Sequence, residues 1–278
     1  MEKKAFIVDS DTNIIKFLQN KGYDFVFVKK LLRQKDVKIN SVRTNKNLNL
    51  KHADKVEVYI HEAKLEPFKI DKAYEDESVL IVYKMPHIET CGINGLEGKL
   101  GVLPVHRLDR NTEGLIIFAK TEQAKADLEN CFRKKLVTKN YLCEVYGDTN
   151  FSGEVKTAYL YKDAKASIVR ILDTFQNGSV EIKTKFTTIH HGLNRSVVEC
   201  GLLTGKTHQI RAHLAHLGHF IIGDNKYGDK SINRFYGKNI QTLSCFEISF
   251  PKLEEKNLQG ISGKTFKKFP TWYKQWTN

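Results

Sequence analysis

The spacing of apolar residues divides the chain into a short helical opening and a long run of strands. Ile14, Ile15, Phe17 and Leu18 recur at the helical period, with Asp11 or Thr12 placed to cap the start and Gly22 to end it. A second helix carries Val28, Leu31 and Leu32 on its inner face. Lys29, Lys30 and Arg33 fall on the other face, since 29 and 33 lie one turn apart. Residues 37–40 and 55–60 then alternate with the two-residue period of strands.

From residue 62 to Lys72 the chain is polar, contains Pro67 and keeps no period, which predicts a linker. Val79 to Tyr83 reads as a buried strand that Met85 and Pro86 end. Glu89 to Leu103 contains four glycines and reads as a mobile loop. Leu115 to Ala119 is a second core strand, and Thr121 to Leu136 a helix with Leu128, Phe132 and Leu136 on one face. Strands follow at 140–147, 167–172, 179–186 and 195–203. A helix over 207–217 interrupts them, with Gly218 as its natural cap. Thr242 to Phe250 is the last predicted strand. The pattern predicts an α+β fold with a mixed, mainly antiparallel sheet. It divides into a small unit at 10–61, a linker at 62–72, a large unit at 73–252 and a polar tail at 253–278.

Charge changes this picture more than composition does. Hydrophobic residues make up 41%, ordinary for a globular chain, but the net charge of +13 favours a polyanionic partner, with nucleic acid first among candidates. Five cysteines without a C-x-x-C pair argue against a disulfide framework or a zinc ribbon and fit a reducing compartment. No secretory leader and no membrane span is expected, so the reading is a cytoplasmic protein.

The densest chemistry lies in Val105 to Lys120, where Asp109 stands between Arg107 and Arg110 just ahead of a core strand. Such surroundings keep a carboxylate ionised near neutral pH and equip it to attack or to stabilise a cation. A second dense segment, Leu203 to Gly218, supplies Arg211 and opens a helix. Histidines 208, 213, 216 and 219 invite a metal reading. However, 208 and 213 point about 140° apart on one helix, and 219 lies beyond the terminating glycine, so no metal site is expected. The glycines at 92–101 match no phosphate-cradling or dinucleotide pattern, and no cofactor is expected.

His106-Arg-Leu-Asp-Arg-Asn-Thr-Glu-Gly114 resembles the catalytic signature of the RluA-type pseudouridine synthases. Lys139-Asn-Tyr-Leu-Cys-Glu-Val-Tyr-Gly147, Leu203 to His213 and His216 to Gly228 resemble its further motifs, in family order and spacing over roughly residues 70–250. Residues 10–61 resemble the S-four RNA-binding domain through the helix pair and the strands after it, though family members often have Gly where Lys35 or Asp36 stands. The resemblance implies a cofactor-free isomerisation of uridine in RNA, with Asp109 as the catalytic carboxylate. It also implies that Arg211 pairs with that carboxylate and that Tyr141 lies against the target base. Arg107 would fill the gap left by a flipped base, while His106, Lys206, Lys29, Lys30 and Arg33 would contact RNA. Glu113 stands where the family usually has Ser, and would put a negative charge near the active loop. Lys206 stands where Arg is common, and Gln241 opens a stretch that lacks a customary His. The expected substrate is structured ribosomal RNA, with transfer RNA second, and the expected state a monomer. Competing readings are a non-catalytic RNA-binding assembly factor and a base-releasing hydrolase.

Overall fold

The computed structural model describes residues 2–23, 25–60, 70–92, 94–163 and 168–277; at 2, 25, 26, 29 and 30 only the backbone is described. Contacts divide the chain into two compact units, Met1–Lys69 and Ile70–Asn278. Of the predicted linker, residues 62–69 lie outside the described residues. Asp71 and Lys72 belong instead to a strand of the second unit.

The first unit contains β1 (Glu2–Ile7), β2 (Thr12–Asn13), α1 (Ile14–Asn20), α2 (Phe25–Arg33), β3 (Val37–Ile39), β4 (Val42–Thr44), β5 (Asn49–Leu50) and β6 (Lys55–Ile60). An antiparallel sheet runs β1-β6-β3-β4, and β2 pairs with β5. Ile14, Phe17, Leu18, Val28, Leu31 and Leu32 pack on Val37, Val56 and Val58. Each such side chain stabilises the unit by roughly 1.5–3 kcal/mol when fully buried. The cap of α1 is Asn13, not Asp11 or Thr12, because its side chain accepts from the Lys16 N–H at 3.0 Å. Lys35 ends α2 in the left-handed region at φ 58°, the geometry that explains a preference for Gly there.

The second unit is built on an 11-stranded sheet. Its elements are β7 (Asp71–Glu75), β8 (Val79–Lys84), α3 (Leu96–Leu100), β9 (Leu103–Pro104), β10 (Glu113–Ala119), α4 (Glu122–Arg133), β11 (Thr138–Tyr146), β12 (Ser152–Asp163), β13 (Ile168–Leu172), β14 (Ser179–Gly192), β15 (Arg195–Leu202), α5 (Gln209–His216), α6 (Lys230–Phe235), β16 (Leu243–Ser249) and β17 (Thr265–Lys267). The sheet order is β13-β12-β14-β15-β11-β16-β10-β8-β7, with β9 on β10 and β17 on β16. All described pairs are antiparallel except β10 with β16. The α+β class and mixed, mainly antiparallel sheet therefore match the pattern. The central strands β8 and β10 are buried at every position, which suits their unbroken apolar runs.

Three local expectations change. The loop at 89–103 contains α3, with Leu96 buried and Gly101 closing it in the left-handed region. Helix α4 stops at Arg133 because Lys135 turns left-handed at φ 57°, so Leu136 is exposed and Ala124, Leu128 and Cys131 form the buried face. Of the predicted tail, residues 253–277 are not loose: Leu258 and Ile261 are fully buried, and β17 extends the sheet. Among the described residues, no helix is long and apolar enough to cross a membrane.

Candidate active site

Strand register brings distant segments to one end of the second unit's sheet. Tyr141 of β11 pairs with Cys200 of β15 and Cys245 of β16, and Cys245 pairs with Gly114 of β10. The loop before β10, the start of β11 and the end of β15 therefore open side by side. Gly114 makes the parallel contact possible, since a Cβ there would collide with the Cys245 backbone N and O. A register shift between Asn140 and Tyr141 marks a bulge beside the site, a device that re-aims side chains.

The loop that carries Asp109 is pinned on both flanks. The Thr90 hydroxyl donates to the Leu108 carbonyl (3.1 Å) and accepts the Leu108 N–H (3.2 Å). Lys84, fully buried, donates to the carbonyls of Met85, Ile88 and Arg110. Gln241 Nε2 donates to Thr112 Oγ1 at 2.7 Å, which is what the residue in that departing stretch does.

Arg211 lies between two carboxylates. Its Nε and Nη2 donate to Asp224 Oδ2 (2.7 Å) and Oδ1 (2.9 Å), and its Nη1 donates to Asp109 Oδ2 (2.8 Å). The bidentate clamp fixes the guanidinium plane and turns the third nitrogen onto Asp109. Asp224 also accepts the N–H groups of Lys226 and Tyr227. Burial opposes charge on both partners of this clamp, but their mutual contact outweighs it, raising Arg211 and lowering Asp224. Among the described residues, Asp109 Oδ1 accepts no hydrogen bond, and its side chain is 20% exposed.

A neutral chain reaches Asp109 from the other side. The Val169 N–H donates to the Tyr227 hydroxyl (3.0 Å), whose proton is then free for His208 Nδ1 (2.9 Å). With Tyr227 donating, His208 carries its proton on Nε2, 3.7 Å from Asp109 Oδ2. Burial lowers the pKa of His208, keeping the ring neutral. His208 adopts φ 56° at the start of α5, the twist that points it back toward the loop.

Asp109, Tyr141, Leu243, Ile210, Arg107 and Lys139 are among the residues around a cavity of about 260 Å³. Tyr141 is buried, and burial holds its phenol well above the usual range, so it stays neutral. Beside the cavity runs a groove of about 790 Å³ lined by Arg133, Lys135, Lys139, Lys183 and Lys185.

The structure thus brings Asp109, Arg211 and Tyr141 together, with Arg107 and Lys206 exposed at the rim. His106 lines both the cavity and the groove, but neither ring nitrogen is presented to solvent. Its Nε2 accepts the Ile117 N–H at 3.1 Å, its ring packs on Phe132, and burial drives it well below the usual imidazole range. Arg33 is exposed on the first unit, and the side chains of Lys29 and Lys30 lie outside the described residues. Glu113 does not charge the active loop; its carboxylate is buried and accepts from Trp272 Nε1 at 2.7 Å, tying down the C-terminal segment. Among the described residues, no cluster of metal-ligating groups exists. His213 turns to Thr184, His216 to Asp173 and His219 to the Tyr146 carbonyl.

Sequence reasoning missed Asp224, Tyr227, His208 and Lys84 as parts of the site. The first three stand in the motif segments, yet only the fold shows whom they touch.

A family model described as RNA pseudouridylate synthase matches residues 92–216. The ribosomal large subunit pseudouridine synthase C of Haemophilus influenzae is 30% identical over 258 residues, 83% of this chain and 80% of that protein. The protein of that name in Escherichia coli is 30% identical over 78% of this chain and 75% of its own length. The solved structure of human RNA pseudouridylate synthase domain containing 1 superposes with TM-score 0.59 at 25% identity, over 74% of this chain and 94% of that one.

Proposed function

This chain belongs to the RNA pseudouridine synthase family, and from that premise we propose that it isomerises specific uridines of structured ribosomal RNA, the large subunit first, with Asp109 as the catalytic carboxylate. The observation that supports it best is the Asp109–Arg211–Asp224 arrangement at the floor of a cavity that Tyr141 lines. Transfer RNA is the second candidate substrate.

The reaction is balanced without a cofactor. The N1–C1′ bond of the uridine breaks, the uracil turns, C5 bonds to C1′, the C5 hydrogen leaves as a proton and N1 takes one up. A carboxylate serves by adding to the sugar, by adding to the base or by removing a sugar proton, and all three routes need it charged, oriented and close to the nucleotide. Arg211 orients Asp109 through Oδ2 and leaves Oδ1 toward the reaction. Tyr141 offers a flat, neutral ring to the base. A stacked uridine must be flipped to enter, at a cost of a few kcal/mol. Arg107 at the rim is placed to stack in the gap it leaves, and phosphate contacts from Lys206 and from the first unit's Lys29, Lys30 and Arg33 offset part of that cost. The first unit is read as an S-four-like RNA-binding domain over 10–61, and 73–252 as the catalytic domain. The protein is read as a cytoplasmic monomer.

The test uses transcripts of large-subunit ribosomal RNA and of transfer RNA labelled with tritium at uridine C5. Tritium released from the ribosomal transcript by wild type, and not by Asp109→Asn, is the expected result. Release only from transfer RNA supports the second substrate. Free uracil in the mixture would instead identify a base-releasing hydrolase.

A further inference from the structure

Lys139 lines both the cavity and the basic groove, as do His106, Leu202 and Gly205, and is the one lysine or arginine among the four. It lies two residues before Tyr141 on β11, hence on the same face of the strand. Its ammonium rests over the Phe132 ring at 4.9 Å. Among the described residues it has neither an ion-pair partner nor a hydrogen-bond partner, and burial lowers its pKa. Arg211, buried more deeply in the same cavity, is held by two carboxylates. A half-buried cation without a counter-charge is costly, which marks the place where a ligand brings the anion.

The groove supplies the context for that anion. Arg133, Lys135, Lys183 and Lys185 line it with Lys139, while Glu199 is the single acidic residue on its wall. Lys183 is engaged by Glu181, and Arg133 by Asn130, but Lys139 stands where groove and cavity meet. A polynucleotide lying in the groove must turn at that point for one base to enter beside Tyr141.

We propose that Lys139 binds the RNA phosphate adjoining the target uridine, at the turn from the groove into the base cavity. The proposal rests on the pseudouridine synthase reading above and adds to it the position of one phosphate. The two other positions for the same charge, on the uracil oxygens or purely structural, differ in what they do to salt dependence. A phosphate contact releases a counterion; the others do not.

The test is the salt dependence of kcat/KM for tritium release from C5-labelled transcripts of large-subunit ribosomal RNA and transfer RNA, pooled. For Lys139→Met the expected result is a KM raised roughly tenfold at low salt, an unchanged kcat, and a log–log salt slope shallower by about one. Lys139→Arg, which keeps the charge, is expected to keep the wild-type slope. A wild-type slope for Lys139→Met overturns the proposal, as does a fall in kcat with KM and slope retained. Wild-type protein that binds the pool but releases no tritium from it overturns the enzymatic reading itself, a distinct failure.

Discussion

Arg211 and Lys139 line one cavity, the first buried and the second partly buried, yet they are treated in opposite ways. Arg211 is answered from within the chain by Asp224 and Asp109. Lys139 has no such answer among the described residues. The difference separates two duties. A charge satisfied internally is fixed in place and can orient a reacting group; a charge left unsatisfied is available to a ligand. In the proposed reading, the cavity has a rigid end that sets up the chemistry and an open end where an RNA phosphate supplies the missing charge.

The largest expected effect comes from removing the group that the rigid end orients. Asp109→Asn keeps the shape and should lower turnover by on the order of 10³-fold or more, with the melting temperature nearly unchanged. If turnover survives, the carboxylate is not the reacting group, and the comparison loses its chemical end.

Asp224→Ala tests the clamp. It leaves Arg211 buried with Asp109 alone and should cost about 3–5 kcal/mol of stability, a fall in melting temperature of roughly 10 °C, together with activity. Thermal unfolding and turnover on the same sample would show both. An intact melting temperature would mean that Asp224 is not needed to hold the guanidinium.

A smaller effect appears in acid. His213, against Thr184 on the inner face of α5, is pushed down to about 4 by burial. Its folded pKa lies below the unfolded value near 6.5, so the unfolded chain takes up more protons between the two. The stabilisation is therefore complete above about pH 6.5 and is lost as pH falls toward 4, on the order of 3 kcal/mol in all. His213→Asn should flatten that part of the stability curve, measured by urea unfolding at pH 7 and pH 5. An unchanged curve would place the acid sensitivity elsewhere, with His106 the next candidate.

The smallest effect concerns the open end. Lys135, on the groove wall, sits in the left-handed region at φ 57°, which costs a side-chain-bearing residue about 1 kcal/mol. Lys135→Gly should raise stability by about 0.5 kcal/mol while weakening RNA affinity. A gain in stability with affinity retained would show that this lysine is not a ligand contact.

Legibility in the sequence follows the same divide. Asp109, Tyr141 and Arg211 stand in dense motif segments, so the resemblance carried all three, and the structure places them around one cavity. Asp224 was invisible because its importance is a contact with Arg211, 13 residues away across a turn. That Lys139 lacks a counter-charge among the described residues was invisible because a missing partner has no sequence signature. Among the elements, the buried runs of β8 and β10 and the two opening helices were readable from apolar period alone. Strand β12 was not, because Val155 and Tyr161 stay exposed and break its alternation. Strand β1 begins with Glu and two Lys and is defined by its pairing with β6. From their place in the motif His106 read as an RNA contact and Glu113 as a charge near the active loop, yet one accepts the Ile117 amide proton and the other anchors Trp272.

The most direct measurement is pseudouridine mapping of ribosomal and transfer RNA from cells lacking this protein, complemented with wild type or with Asp109→Asn. At least one large-subunit ribosomal position should lose pseudouridine in the deletion and regain it only with wild type. Retention of every site, or restoration by both forms, would contradict it and leave an RNA-binding protein in place of an enzyme.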